Sequence, residues 1–306
     1  MKYNDNARLD TSEVSDTRGS RGKVAVGGGG LGIVGIVIYV IVSLVGGGSS
    51  TTAALDQVLG QLGQNGGPAT ADNSEISSHC KTGQDANNSL ECAVVADIDS
   101  IQSYWSQELP AVGKTYTDVP TVFFSNSVTT GCGSADSGAG PFYCPADHKV
   151  YIDLTFYDDL KSQFGAKGGP FVNAYVLAHE YGHHVQDLLG IESRVKAGSE
   201  GADSASVRLE LQADCYAGVW AKHASTVPDA SGQPLITDIS NDDIANALDA
   251  ASRIGDDYIQ THLGSGQVDP NTFTHGTSAQ RQKWFMAGYQ GGEPSACDTF
   301  GATSLG

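Results

Sequence analysis

The sequence predicts an α+β fold, a small sheet packed on several helices, preceded by one transmembrane helix. Three observations carry that reading. Two runs rich in β-branched and aromatic residues, VPTVFFSNSV (119–128) and KVYIDLTFY (149–157), precede a series of long helical patterns. Residues 24–45 contain no charged side chain. Residues 46–78 are mostly Gly, Ser, Thr, Gln and Asn, a composition that buries little and sets the globular part apart as a tethered unit.

In chain order, residues 1–23 read as a cytoplasmic tail. The uncharged stretch at 24–45, about 33 Å long as a helix, can cross a hydrocarbon core of ~30 Å. Arg18, Arg21 and Lys23 precede it and the next basic residue is Lys81. That asymmetry predicts a single-pass protein of the cell membrane, its amino terminus cytoplasmic and residues 46–306, with the globular domain, extracellular. A cleaved signal peptide fits less well, because four acidic residues lie in the leader and no small-x-small site follows. Residues 46–78 read as a flexible linker and 79–306 as the globular domain. Within it, apolar spacing predicts helices at 94–109 (ended by Pro110), 171–189, 202–224, 241–262 and 278–289, with strands at 119–128 and 149–157.

Charge excludes one class of partner. The net charge is −18, and residues 1–45 hold five of the 17 basic and four of the 35 acidic side chains, leaving 12 against 31 in the rest. So acidic a domain repels phosphate backbones, and no nucleic-acid partner is expected. The six cysteines form no CxxC pair, and an even number outside the cytoplasm reads as disulfides. The simplest pairing is Cys80–Cys92, Cys132–Cys144 and Cys215–Cys297, with a buried free thiol at Cys215 as the alternative for the last.

The chemistry concentrates at His179-Glu180-Tyr181-Gly182-His183, an HExxH run inside a helical pattern. Residues four apart lie about 40° apart around a helix, so His179 and His183 can grip one Zn²⁺ per chain. Glu180 then stands beside the metal as the base for water. A third histidine in the pattern HExxHxxGxxH is absent, since Gln186 and Leu189 hold the Gly and His positions. Glu210, in the ELQAD run of the next helix, supplies the third ligand, and Asp214, four residues on, can hold a ligand imidazole from behind. Gly182, costly inside a helix by about 1 kcal/mol, suggests close approach of the Glu210 helix.

These residues resemble the gluzincin peptidases, which share the HExxH…ExxAD combination. More closely, FYCPAD (142–147), VYIDL (150–154), HEYGHHVQ (179–186), RLELQADC (208–215) and THGTSAQR (274–281) resemble the bacterial neutral zinc metallopeptidase family of the YpfJ type. The resemblance implies a zincin-like domain over roughly 79–306 that hydrolyses peptide bonds of peptide or protein substrates. In gluzincins an edge strand ahead of the HExxH helix pairs with substrate; by order and composition 149–157 is the candidate, an ordinary core strand being the other reading. His275 is the best candidate donor to the transition-state oxyanion, ahead of Tyr181, Tyr151 and Tyr258, and Thr277 or Ser278 caps the helix that follows. Two rival readings use the same residues: a cell-surface binding or assembly protein with a structural zinc, and a zinc amidohydrolase acting on an envelope component.

Overall fold

A computed structural model describes residues 1–19, 70–196, 198–228 and 232–306. In chain order its elements are β1 (Lys2–Tyr3), β2 (Val14–Asp16), α1 (Ser74–His79), α2 (Gly83–Asn88), α3 (Leu90–Glu108), β3 (Thr121–Phe123), β4 (Ser127–Thr130), β5 (Gly133–Asp136), β6 (Phe142–Cys144), β7 (Lys149–Ile152), α4 (Phe156–Ser162), α5 (Pro170–Leu189), α6 (Ala205–His223), β8 (Ile236–Asp238), α7 (Asn241–Arg253), α8 (Asp256–His262) and α9 (Ser278–Gly291). The α+β class is as expected. The sheet that matters has the order β2-β3-β7-β6, with β6 antiparallel to β7 and the other pairs parallel. Helices α3, α5, α6 and α9 pack beside it around one apolar core that includes Trp105, Phe171, Leu211, Trp220 and Phe285.

Several elements depart from the sequence reading. The run at 149–157 is strand only to Ile152, because Asp153 Oδ1 accepts hydrogen bonds from the Thr155 amide and hydroxyl and turns the chain into α4. Nor is this strand an edge: β7 lies between β3 and β6, and β6 takes the outer place. The run at 119–128 ends as β3 at Phe123, and Ser127–Thr130 enters a separate hairpin with β5. The helix expected at 241–262 breaks at Gly255, where a Cβ would lie 2.4 Å from the Ser278 nitrogen.

The largest correction concerns the amino-terminal residues. They form no tail apart from the domain, and the domain does not begin at 79. Residues 2–3 pair with β8, and 14–16 form the outermost strand of the main sheet. Tyr3 and Val14 are each 2% exposed, so they fill core positions. Residues 73–78, assigned to the linker, build the cap of α1 and all of that helix but His79. The expected span at 24–45 and residues 46–69 of the expected linker lie outside the described residues. Among the described residues no helix is long and apolar enough to cross a membrane.

All three disulfides form as expected: Cys80–Cys92, Cys132–Cys144 and Cys215–Cys297, so Cys215 is not a free thiol. The last closes a separation of 82 residues, which the chain-entropy model values at about 4.5 kcal/mol. It joins α6 to the segment after α9. These two helices also meet backbone to backbone. A Cβ at Gly218 would stand 2.0 Å from Phe285 O, and one at Gly288 would stand 1.9 Å from Cys215 O. Gly288→Ala is therefore expected to destabilise the fold by about 3 kcal/mol, since backbone has to move. A chemical-denaturation midpoint equal to wild type would refute so tight a crossing. Gly182 has the neighbour inferred for it: its Cβ would sit 3.0 Å from Ala213 O on α6.

Candidate metal centre

Helix α5 places His179 and His183 one turn apart, and α6 brings Glu210 over them. His179 Nε2 lies 3.3 Å from His183 Nε2 and 3.1 Å from Glu210 Oε2; His183 Nε2 is 3.5 Å from Glu210 Oε1. Two imidazole nitrogens and a carboxylate thus point at one another within 4.8 Å. The donor set is the one Zn²⁺ favours, and the other nitrogen of each imidazole is engaged from behind, which frees the inward one. The only other grouping of this kind among the described residues includes Cys80 and Cys92, whose sulfurs are joined to each other.

The supports behind the imidazoles differ. Asp214 Oδ1 lies 2.9 Å from His179 Nδ1 and, being an acceptor, assigns the proton to Nδ1 and leaves the Nε2 lone pair facing inward. For His183 the support is Gln186. Its Nε2 donates to Leu209 O at 2.7 Å and Gln212 Oε1 at 3.1 Å, so its Oε1, 2.8 Å from His183 Nδ1, accepts. Sequence reasoning treated Gln186 only as a mismatch to a three-histidine pattern. Asp214 is in turn held by Arg281, through Nε at 2.8 Å and Nη2 at 2.9 Å, and by the Tyr175 hydroxyl at 2.6 Å. Despite complete burial, the Arg281 and His179 charges hold the Asp214 carboxyl far below the usual range. Burial would depress His179, but Asp214 and Glu210 outweigh it and carry its pKa up to about 10. A site that draws a proton so strongly to paired nitrogens is one that a cation can satisfy in its place.

Glu180 is buried and lies outside the three-donor cluster. Its Oε2 accepts the Tyr143 amide of edge strand β6 at 3.1 Å, which aims the carboxylate. Burial raises its pKa, against the pull of His179 and His183. A cavity of about 310 Å³ is lined by Glu180, the donor trio, His275 and Arg281, with Phe142, Phe156, Phe164, Val176, Ile254 and Ile259 among its apolar lining.

His275 lines the same cavity. Its Nδ1 lies 2.9 Å from Thr274 Oγ1 and 3.4 Å from Asp256 Oδ1, while Asp256 Oδ2 accepts the amides of Thr274, His275 and Gly276. Burial lowers its pKa, but Glu210 and Asp256 more than reverse this and favour the charged, donating form. Thr277 caps α9 with Gln280. The weaker candidates turn elsewhere: Tyr181 to Thr121, Tyr151 to Asp147 and Tyr258 to Phe164 O. His184 is buried between Tyr143 OH and Thr117 O, a packing role. Of the groups missed, Tyr175 had a signal, since it precedes His179 by one turn. Arg281 ended the THGTSAQR run but was given no role, and Asp256 had no signal, because their placement depends on how α8 and α9 dock.

Residues 1–300 match the family described as "Putative neutral zinc metallopeptidase". An uncharacterised protein of Mycobacterium tuberculosis is 52% identical over 230 residues, 75% of this chain and 77% of its own. The uncharacterised Escherichia coli protein YpfJ is 40% identical over 305 residues, covering 96% of this chain and 97% of its own. No solved structure matches. The match runs through both the metal-competent helices and the amino-terminal strands, and the chain belongs to this neutral zinc metallopeptidase family.

Proposed function

We propose that the protein is a zinc-dependent peptidase that holds one Zn²⁺ on His179, His183 and Glu210 and uses Glu180 as general base. The observation that carries this is the position of Glu180, an acid held beside the donor cluster and facing a chamber large enough for a substrate side chain. Bound zinc supplies Lewis acidity, polarising a carbonyl and making water acidic near neutral pH. Glu180, oriented by the Tyr143 amide, takes a proton from water and delivers it to the departing nitrogen. His275, its Nδ1 turned toward Thr274 and Asp256, offers its other nitrogen to negative charge developing on the carbonyl oxygen. Asp214, Gln186 and Arg281 hold the ligands in place.

The test is hydrolysis of a diverse peptide library by the zinc-loaded full-length chain. Chelation is expected to abolish cleavage, and one equivalent of zinc to restore it. The same titration should raise thermal stability, by about 4 kcal/mol when free zinc is a thousandfold above Kd. Peptides left intact by protein carrying one zinc per chain would overturn the peptidase reading and leave a structural metal or a non-peptide amide substrate.

A further inference from the structure

We infer that the amino-terminal segment and the metal domain lie on the same side of any membrane the chain meets, so residues 24–45 do not separate them. The inference is independent of catalysis. It rests on how thoroughly residues 1–18 are built into the domain. Strand β2 runs parallel to β3 with Val14 opposite Thr121, Ser15 opposite Val122 and Asp16 opposite Phe123. The Tyr3 hydroxyl donates to Asp97 Oδ1 at 2.9 Å inside the core, and Asn87 brackets the Tyr3 backbone with two bonds of 3.0 Å. The Asp10 amide donates to Asp99 at 2.8 Å. At Gly83 a Cβ would fall 1.9 Å from Asn4 O, so the domain leaves space there for this passing strand.

The two ends of the intervening stretch are also tied together. The Asp72 amide donates to Asp16 O at 2.8 Å, and the Asp16 amide donates to Asn73 Oδ1 at 2.8 Å. The chain leaves this point after residue 19 and is back beside it by residue 72. A single crossing at 24–45 would instead put about 30 Å of hydrocarbon between the partners. It would strip β3 of its outer neighbour, empty the positions of Tyr3 and Val14, and leave Asp97 in the core without its donor. Each such loss costs on the order of 1–3 kcal/mol. The basic flank that argued for a cytoplasmic amino terminus is weaker than its letters suggest. Arg18 is paired with Asp16 and Glu91 and lies over the Phe123 ring. Three disulfides assign the domain to an oxidising compartment, and the amino terminus goes with it.

Single cysteines test this in the full-length chain within producing cells, because all six native cysteines are paired. Asn6 and Ser77 are both exposed. Asn6→Cys and Ser77→Cys should react alike with a membrane-impermeant maleimide on intact cells. Thr11 Oγ1 and Ser77 Oγ are 3.0 Å apart, so Thr11→Cys combined with Ser77→Cys should form a fourth disulfide and add no maleimide-polymer mass after unreduced denaturation. Labelling of Ser77→Cys from outside with Asn6→Cys reactive only after lysis would overturn the inference. So would a mature chain that has lost residue 6, or a double variant with two free thiols. Labelling of both single variants only after lysis would refute the assignment to the outer compartment.

Discussion

Glu180→Gln is expected to lower the rate of peptide hydrolysis by at least 10²–10⁴, the range that general-base catalysis contributes, while leaving one zinc per chain. The amide is nearly isosteric with the acid, and its oxygen can still accept the Tyr143 N–H, so the packing of α5 against β6 survives. What is lost is the capacity to take up a proton. Because Glu180 lies outside the donor cluster, metal content separates this variant from His179→Ala, His183→Ala and Glu210→Ala, each of which should lose zinc and activity together. Undiminished kcat/KM in Glu180→Gln would eliminate the base. Full zinc occupancy in Glu210→Ala would eliminate that carboxylate as a ligand.

Arg281→Met should have the largest effect on stability among substitutions near the site, about 3–5 kcal/mol at neutral pH. It removes one partner of an ion pair that is 3% and 0% exposed in its two side chains. Asp214 would keep the Tyr175 and His179 bonds but lose the larger of the two charges that hold it ionised. Zinc affinity should fall by 10–100-fold, since Arg281 holds in place the Asp214 carboxylate that orients His179. The sign of the pH effect follows from the depressed Asp214 pKa. Such a carboxylate contributes stability in full above its unfolded value of about 4, and the contribution is lost as pH falls from there through the folded value. The gap between wild type and Arg281→Met should therefore be complete at pH 7 and narrow in acid. An equal gap at pH 3 and pH 7, by denaturant titration of the metal-free proteins, would show that lost packing and not the ion pair is responsible.

The metal helices were legible because their signal is local. Helical periodicity alone projects His179 and His183 from one face, and the same spacing pairs Glu210 with Asp214. Gly182 announced the close neighbour that Ala213 proved to be. Gln186 was in plain view, yet its role appears only when α6 brings Leu209 and Gln212 to its amide nitrogen. Strands β2 and β6 are three residues each, too short for alternation to register, so the true sheet edge at Phe142–Cys144 was passed over for the longer apolar run beside it. The amino-terminal strands posed a further difficulty. Their partners lie more than 80 residues away in β3, α3 and β8, beyond a stretch whose hydropathy suggested a boundary.

The crossing of α6 and α9 bears on how this chain can change through descent. Gly218 and Gly288 let carbonyl and backbone touch, so at these two points no Cβ holds the helices apart. Glu210 rides on one helix and Arg281 on the other. Their separation is consequently set by main-chain dimensions, which do not vary with the amino-acid alphabet. Aliphatic positions around them, such as Val207, Leu211 and Val219, can exchange one hydrocarbon for another over generations without retuning the electrostatics at the candidate metal centre. Two glycines thereby shelter a charge arrangement from drift in the oily surroundings, and they are the places where drift itself has least room.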